Sequence, residues 1–216
     1  MFLTISGSLT KNWKIILGSS SPRRKDMMNQ LGLNFRIVRS NFDESTLSTE
    51  DFATAGEFTE FSAKQKASDV LEQLKKECKE NNTKLPDLII GCDTVVVHEN
   101  VEQIENMEGI GSRIGSTNSF IMGKPKGDLS AKKMLKYHSN RNHLVISGMA
   151  LLYVQKNGEP TFATFHETTT LTFKKLTDEE IDHYVSSKEP MGKAGAYAIQ
   201  GIGGCLIQKI SGSYSK

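Results

Sequence analysis

The sequence predicts a mixed α/β domain, in which one sheet of parallel and antiparallel strands is flanked by helices. Three observations predict it. Short apolar runs alternate with segments of helical spacing, one long hairpin is signalled by Asn157-Gly158, and no repeat of fixed period is present. At 216 residues the chain suits one domain, or two lobes sharing a sheet. Hydrophobic content of 37% and charged content of 24% are those of an ordinary globular protein, and a net charge of +2 gives no global pull toward nucleic acid or a membrane surface. The cysteines, Cys78, Cys92 and Cys205, are odd in number and far apart, which predicts reduced thiols and a cytoplasmic location rather than a disulfide framework. The first residues carry no signal-peptide pattern, and no apolar run is long enough to span a membrane.

Residues 1–12 read as a leader of unclear role, and 13–216 as one catalytic-size domain. The first strand is Ile15-Ile16-Leu17, stopped by Gly18. Ser19-Ser20-Ser21 turns the chain into a helix with Ser21 as N-cap, Pro22 at the first helical position, an apolar stripe of Met27, Met28 and Leu31, and Gly32 as a stop. Arg23 and Arg24 stand oddly there, because the start of a helix already carries partial positive charge and disfavours each cation by roughly 0.3–1 kcal/mol. Hydroxyls, free backbone N–H groups and two guanidinium groups on one spot suit a phosphate chain; the same residues also read as a solvated helix start.

Phe35 to Val38 alternates as a second strand and leads to the paired carboxylates Asp43 and Glu44. Residues 56–79 form the strongest helix, with Phe58, Phe61, Ala67, Val70, Leu71, Leu74 and Cys78 at helical spacing; Lys64 and Lys66 lie two apart, so they point in different directions, and Lys64 reads as solvated. Leu88 to Val97 is a buried strand with Asp93 in its middle. An unpaired buried carboxylate costs several kcal/mol, so Asp93 must meet a cation, a metal or a wet cleft, and Gly91 lets another group come close.

Residues 98–122, polar and glycine-rich, read as a surface insertion. Lys124 follows in the turn Gly123-Lys124-Pro125, either as a site residue or as an ordinary loop lysine, and Asp128 caps the next helix. Leu144 to Val154 is a long strand kinked at Gly148, 162–173 is its return, and Thr177 to Glu180 is a capping box that opens the last helix. A glycine-dense loop at 193–204 precedes a closing strand from Cys205 to Ile210. The five histidines show no metal-ligand spacing, which argues against a His-based zinc site.

Seven blocks occur in order between Ile15 and Tyr214: Ser19-x-Ser21-Pro22-Arg23-Arg24; Asp43-Glu44; Ala63-x-x-Lys66-Ala67; Gly91-x-Asp93-Thr94; Gly123-Lys124-Pro125; Glu189-Pro190 with Lys193-Ala194-Gly195-Ala196-Tyr197; and Ile199-Gln200-Gly201. Together they resemble the Maf family of nucleotide pyrophosphatases, the septum-formation-type proteins. The resemblance implies an elongated mixed sheet with a central cleft, like that of the Ham1 inosine triphosphatases, in an often dimeric protein. It implies hydrolysis of a nucleoside triphosphate to the monophosphate and pyrophosphate with Mg²⁺ or Mn²⁺, and no nucleic-acid or membrane partner. By motif, Asp93 matches the proton acceptor and Glu44 an acidic residue serving the metal, with Asp93 beside it. Ser19, Ser21, Arg23, Arg24, Lys66 and Lys124 match the surroundings of the phosphates. Arg23, Thr94 and Gln200 match positions tied to base choice, and their identities resemble the branch that cleaves dTTP and UTP.

The chain departs from the family pattern at Gly192 (commonly Asp), Ala198 (commonly Gly) and Ser147 (usually Thr), and in a longer interval between Asp93 and Lys124. The family continues beyond the position of Lys216 into an apolar segment and a last helix, whose loss is expected to expose core. The other reading is a non-catalytic nucleotide-binding regulator of cell division, which would keep the basic residues but not need Glu44 and Asp93. A nucleic-acid binder would need a basic stripe with interleaved aromatics, and the aromatics here are scattered.

Overall fold

The structure, a computed structural model, describes residues 12–99, 101, 110–115, 118–155 and 157–215. The expected leader falls outside them except for Asn12, as does part of the expected insertion. Eight strands and four helices are found among the described residues: β1 (Ile15–Leu17), α1 (Pro22–Gln30), β2 (Phe35–Ile37), α2 (Ala55–Asn81), β3 (Leu88–His98), β4 (Gly111–Ile114), β5 (Ser119–Met122), α3 (Asp128–His138), β6 (Asn142–Val154), β7 (Pro160–Phe173), α4 (Asp178–Ser186) and β8 (Ile207–Ser211). They form one mixed sheet in the order β2-β1-β3-β6-β7-β8, as the alternation of patterns predicts. β1 is parallel to β2 and β3; every other pairing is antiparallel.

The period-2 pattern of the central strands sorts their side chains onto two faces. Ile16 and Ile89 pack with Ala63, Ala67, Val70, Leu71 and Leu74 of α2. Ile15, Leu17, Leu88, Ile90 and Cys92 face the other way, with Met28 of α1. The largest core lies at the far end, where α3 and α4 cover Val96, Phe120, Met122, Val145, Leu171 and Phe173. Glycine lets α2 sit close on the sheet. A Cβ on Gly91 would stand 2.1 Å from the Ala63 carbonyl oxygen, and one on Gly148 would stand 2.3 Å from the Thr59 carbonyl carbon.

The ladder is interrupted in one place. The β1–β3 pairing ends at Leu17 opposite Ile90, and β5 joins β3 only from Val96, opposite Met122. From Gly91 to Val95, β3 has β6 as its ladder partner on one side and an opening on the other. The opening lies at the carboxyl end of β1, between two strands whose connecting helices pack on opposite faces, which is where open α/β sheets place ligands.

Several local expectations are corrected. Leu31 is 53% exposed and Phe61 39%, so each falls outside its apolar stripe; Phe61 packs on Phe52 at the surface instead. Ser21 occupies the N-cap position, but its hydroxyl makes no capping bond. Gly127, not Asp128, caps α3. The ladders run through Gly148 in unbroken register, so that glycine admits α2 rather than kinking β6. Within 98–122, residues 111–114 and 119–122 form a hairpin whose Ile114, Phe120, Ile121 and Met122 are buried. Polar neighbours mask that short apolar signal. Among the described residues no helix is long and apolar enough to cross a membrane, and the three cysteines are unpaired thiols.

Candidate active site

The interrupted stretch of β3 is the floor of a cavity of about 580 Å³, a size suited to a small-molecule ligand. The turn after β1 closes one side. Gly18 N–H bonds to the Ile90 carbonyl, continuing the β1 ladder by one step. Beyond it, Arg24 of α1 takes over the open edge. Its Nη1 donates to the Cys92 carbonyl at 3.0 Å and to Ser19 Oγ at 3.2 Å, and its Nη2 donates to Thr94 Oγ1 at 3.0 Å. Ser19 Oγ also accepts from Ser21 N–H, and Thr94 Oγ1 lies 3.0 Å from Ser147 Oγ, so the serine in the usual threonine position keeps a hydroxyl contact. Arg24 thus satisfies a strand carbonyl that has lost its ladder partner, while its guanidinium lines the cavity.

On the opposite face of β3, the close approach of α2 at Gly91 carries Lys66 onto Asp93. Lys66 Nζ lies 2.8 Å from Asp93 Oδ1 and 2.8 Å from Glu44 Oε1, and Lys124 Nζ lies 3.8 Å from Glu44 Oε2. The side chains of Lys66 and Asp93 are only 10% and 9% exposed, that of Glu44 41%. The buried carboxylate in the strand therefore has its cation, and the pair opens onto the cavity rather than into sealed core. Two carboxylates converging on one ammonium also make a hard oxygen donor set of the type that holds Mg²⁺ together with phosphate oxygens.

The remaining wall comes from the glycine-dense loop after α4. Glu189 organises it, accepting from Ile202 N–H, Gly203 N–H and the Tyr184 hydroxyl, each at 2.9 Å. Burial pushes the Glu189 carboxyl up, but these three donors outweigh burial and hold it below the ordinary range. Arg23 Nη1 donates to Gln200 Oε1 at 3.1 Å, and Gln200 Nε2 reaches the Tyr214 carbonyl at 3.4 Å. Burial, then the neighbouring Arg24, lowers the Arg23 pKa, which marks a place prepared for an anion.

All ten residues singled out from the sequence line this one cavity: Ser19, Ser21, Arg23, Arg24, Glu44, Lys66, Asp93, Thr94, Lys124 and Gln200. Lys64 lies apart on the exposed face, 4.9 Å over the Phe162 ring. Among the lining residues to which the sequence assigns no role are Arg39, Lys193 and Tyr214. Arg39 follows β2 as the hydroxyl turn follows β1, so the rule that ligands sit beyond the carboxyl ends of parallel strands could have found it. Lys193 stands in a quoted block without a role. With them the wall holds six cationic side chains (Arg23, Arg24, Arg39, Lys66, Lys124, Lys193) against two carboxylates, an excess suited to a polyanion.

Away from the cavity, three of the five histidines are gathered in space despite their spacing in the sequence. His98, His138 and His143 come together in the core from three separate elements, although no spacing in the sequence signals it.

Residues 14–216 match the model of the Maf-like protein family. Over 202 residues the chain is 37% identical to a dTTP/UTP pyrophosphatase of Lachnoclostridium phytofermentans, covering 94% of this chain and 86% of the relative. It is likewise 37% identical over 201 residues to a dTTP/UTP pyrophosphatase of Bacillus cereus, covering 93% and 86%. Among solved structures, a nucleoside-triphosphatase / dITP/XTP pyrophosphatase from Mycobacterium abscessus overlaps with a TM-score of 0.35 at 12% identity, covering 76% of this chain and 75% of that one; at that overlap the likeness carries no argument.

Proposed function

The chain belongs to the Maf-like protein family, and from that premise we propose that its cavity hydrolyses dTTP, UTP or a closely similar nucleotide to the monophosphate and pyrophosphate. The observation that carries the reading is the Lys66 bridge. Its ammonium holds Asp93 and Glu44 at 2.8 Å each, inside a wall otherwise dominated by cations. A regulator that only binds nucleotides needs the cations but has no use for two carboxylates fixed among them.

Glu44, with Asp93 beside it, would hold the divalent cation, Mg²⁺ or Mn²⁺; when bound, that ion supplies charge neutralisation on the phosphate oxygens. Ser19, Ser21, Arg23, Arg24 and Lys124 hold the phosphate chain, with the arginines giving bidentate hydrogen bonds. Lys66 occupies Asp93 Oδ1 and so fixes the plane of the carboxylate, directing its second oxygen to a water. That oxygen accepts the water's proton as the water oxygen bonds to the α-phosphorus. The bond from the α-phosphorus to the bridging oxygen breaks, and pyrophosphate leaves with that oxygen. The arginines and lysines stabilise the charge that develops on the leaving group, the largest electrostatic contribution. Arg23, Thr94 and Gln200 read the base. Free thiols at Cys78, Cys92 and Cys205 support a reducing, cytoplasmic setting.

The test is product analysis with dTTP, UTP and purine nucleotides, each with and without Mg²⁺. Stoichiometric pyrophosphate and monophosphate from the pyrimidine substrates, dependent on the cation, is the expected result. Orthophosphate as the product, or no turnover of any nucleotide by folded protein, overturns the reading.

A further inference from the structure

The histidine cluster lies outside the cavity and has no part in the chemistry above. His98 closes β3, His138 closes α3 and His143 lies near the start of β6; they are 3%, 0% and 2% exposed. One ring nitrogen from each lies within 4.8 Å of the others. The rings stack, with centroids 4.4 Å apart for His138 and His143 and 5.0 Å for His98 and His138.

The outer contacts fix the tautomer. His138 Nε2 lies 2.9 Å from the Gly195 carbonyl oxygen, which can only accept, so Nε2 carries the hydrogen. The neutral His138 ring then presents its Nδ1 lone pair inward, to His98 Nε2 at 3.0 Å. The outer Nε2 of His143 is held by the Tyr197 hydroxyl at 2.8 Å. Two of the three rings, His138 and His143, are anchored at one nitrogen by a carbonyl or a hydroxyl, as metal-binding histidines are, and the third, His98, meets His138 directly. A simple hydrogen-bonded pair needs neither the third ring nor both anchors.

We propose that His98, His138 and His143 bind one divalent transition-metal ion of the imidazole-preferring class, zinc foremost. The all-nitrogen donor set and the lack of a carboxylate among the clustered residues exclude Mg²⁺ and Ca²⁺ from this site. Zinc–nitrogen bonds of about 2.0–2.1 Å set tetrahedral ligand atoms about 3.3 Å apart, so the 3.0 Å His98–His138 pair opens slightly, and His98 moves its proton from Nε2 to Nδ1, with no net proton release. The Gly195 N–H donates to the Gly123 carbonyl at 3.0 Å, next to Lys124, and Tyr197 lines the cavity. The ion therefore braces the loop and the turn behind the cavity, whatever the cavity hydrolyses.

The test uses the untagged full chain with Mg²⁺ in excess to occupy carboxylate sites, titrated with Co²⁺ and then Zn²⁺. The expected result is one equivalent of Co²⁺ with the visible absorption of low-coordinate nitrogen ligation, displaced by Zn²⁺, and a Tm that rises with Zn²⁺. His98→Leu and His138→Leu should each weaken binding by at least about tenfold, while His183→Ala, at an exposed histidine, leaves it unchanged. No Co²⁺ spectrum and no Zn²⁺-dependent Tm in the wild-type protein overturns the proposal, a readout that does not depend on the variants folding. Binding that survives both leucine variants overturns it too.

Discussion

Strand β3 carries two buried polar clusters five residues apart, and they have met burial in opposite ways. At Asp93 the strand's edge is open, α2 delivers Lys66, and Glu44 and Lys124 stand beside the pair in the cavity. At His98, opposite Phe120 of β5 and one residue past the end of the β6 ladder, no carboxylate among the described residues joins the cluster, and burial pushes His98 down to about 2. A buried polar group is matched by an opposite charge where the strand edge opens onto the cavity, and by neutral partners where it is sealed.

The largest expected effect is at the charged cluster. Asp93→Asn keeps shape and removes the proton acceptor, so pyrophosphate release by the folded variant should fall by at least about 10²-fold; activity within a few fold of wild type would break the assignment of Asp93. Next is acidification. His98 and His138 have folded-state values below the ordinary 6.5. The unfolded chain therefore binds more protons, and stability that is full above pH 6.5 is lost as pH falls. The loss is about 1.4 kcal/mol per pH unit for each ring, continuing to about pH 4 for His138. Chemical denaturation between pH 7 and pH 5 measures it, and His138→Leu should flatten the slope. An unchanged slope in that variant would break the contrast between the clusters.

Lys66→Met tests the charged side for stability. It leaves two carboxylates without their shared cation, and should cost about 2 kcal/mol, less than a fully sealed pair loses because water reaches the cavity. A cycle with Asp93→Asn should recover part of that cost. A cost of similar size is expected from Gly148→Ala. Its Cβ would meet the Thr59 backbone at 2.3 Å, pushing α2 off the sheet for about 1–3 kcal/mol. Turnover should fall with it, because α2 carries Lys66; full activity would show that the placement of α2 is less constrained than the contact implies.

The same contrast explains what could be read from the chain. A carboxylate in an apolar strand is anomalous by itself, so Asp93 announced a partner, and Gly91 announced a close approach. The partner's identity needed the register of α2 on the sheet, which local periodicity does not contain. The histidines were invisible because His98, His138 and His143 are ordinary residues in three different elements, and only topology brings them together. The β4–β5 hairpin was hidden by the polar residues around its few apolar positions. The helices and long strands were legible because their apolar spacing is sustained over many residues, whereas Leu31 and Phe61, at helix flanks, followed the pattern without being buried.

The break in the ladder between β1 and β5 has a consequence for the cleft. Over five residues β3 has β6 as its only ladder partner among the described residues, and at its other edge a side chain, the Arg24 guanidinium, stands in for a strand. The strand that presents the acid thus also carries both sides of the cleft, pairing with β1 before the opening and with β5 after it.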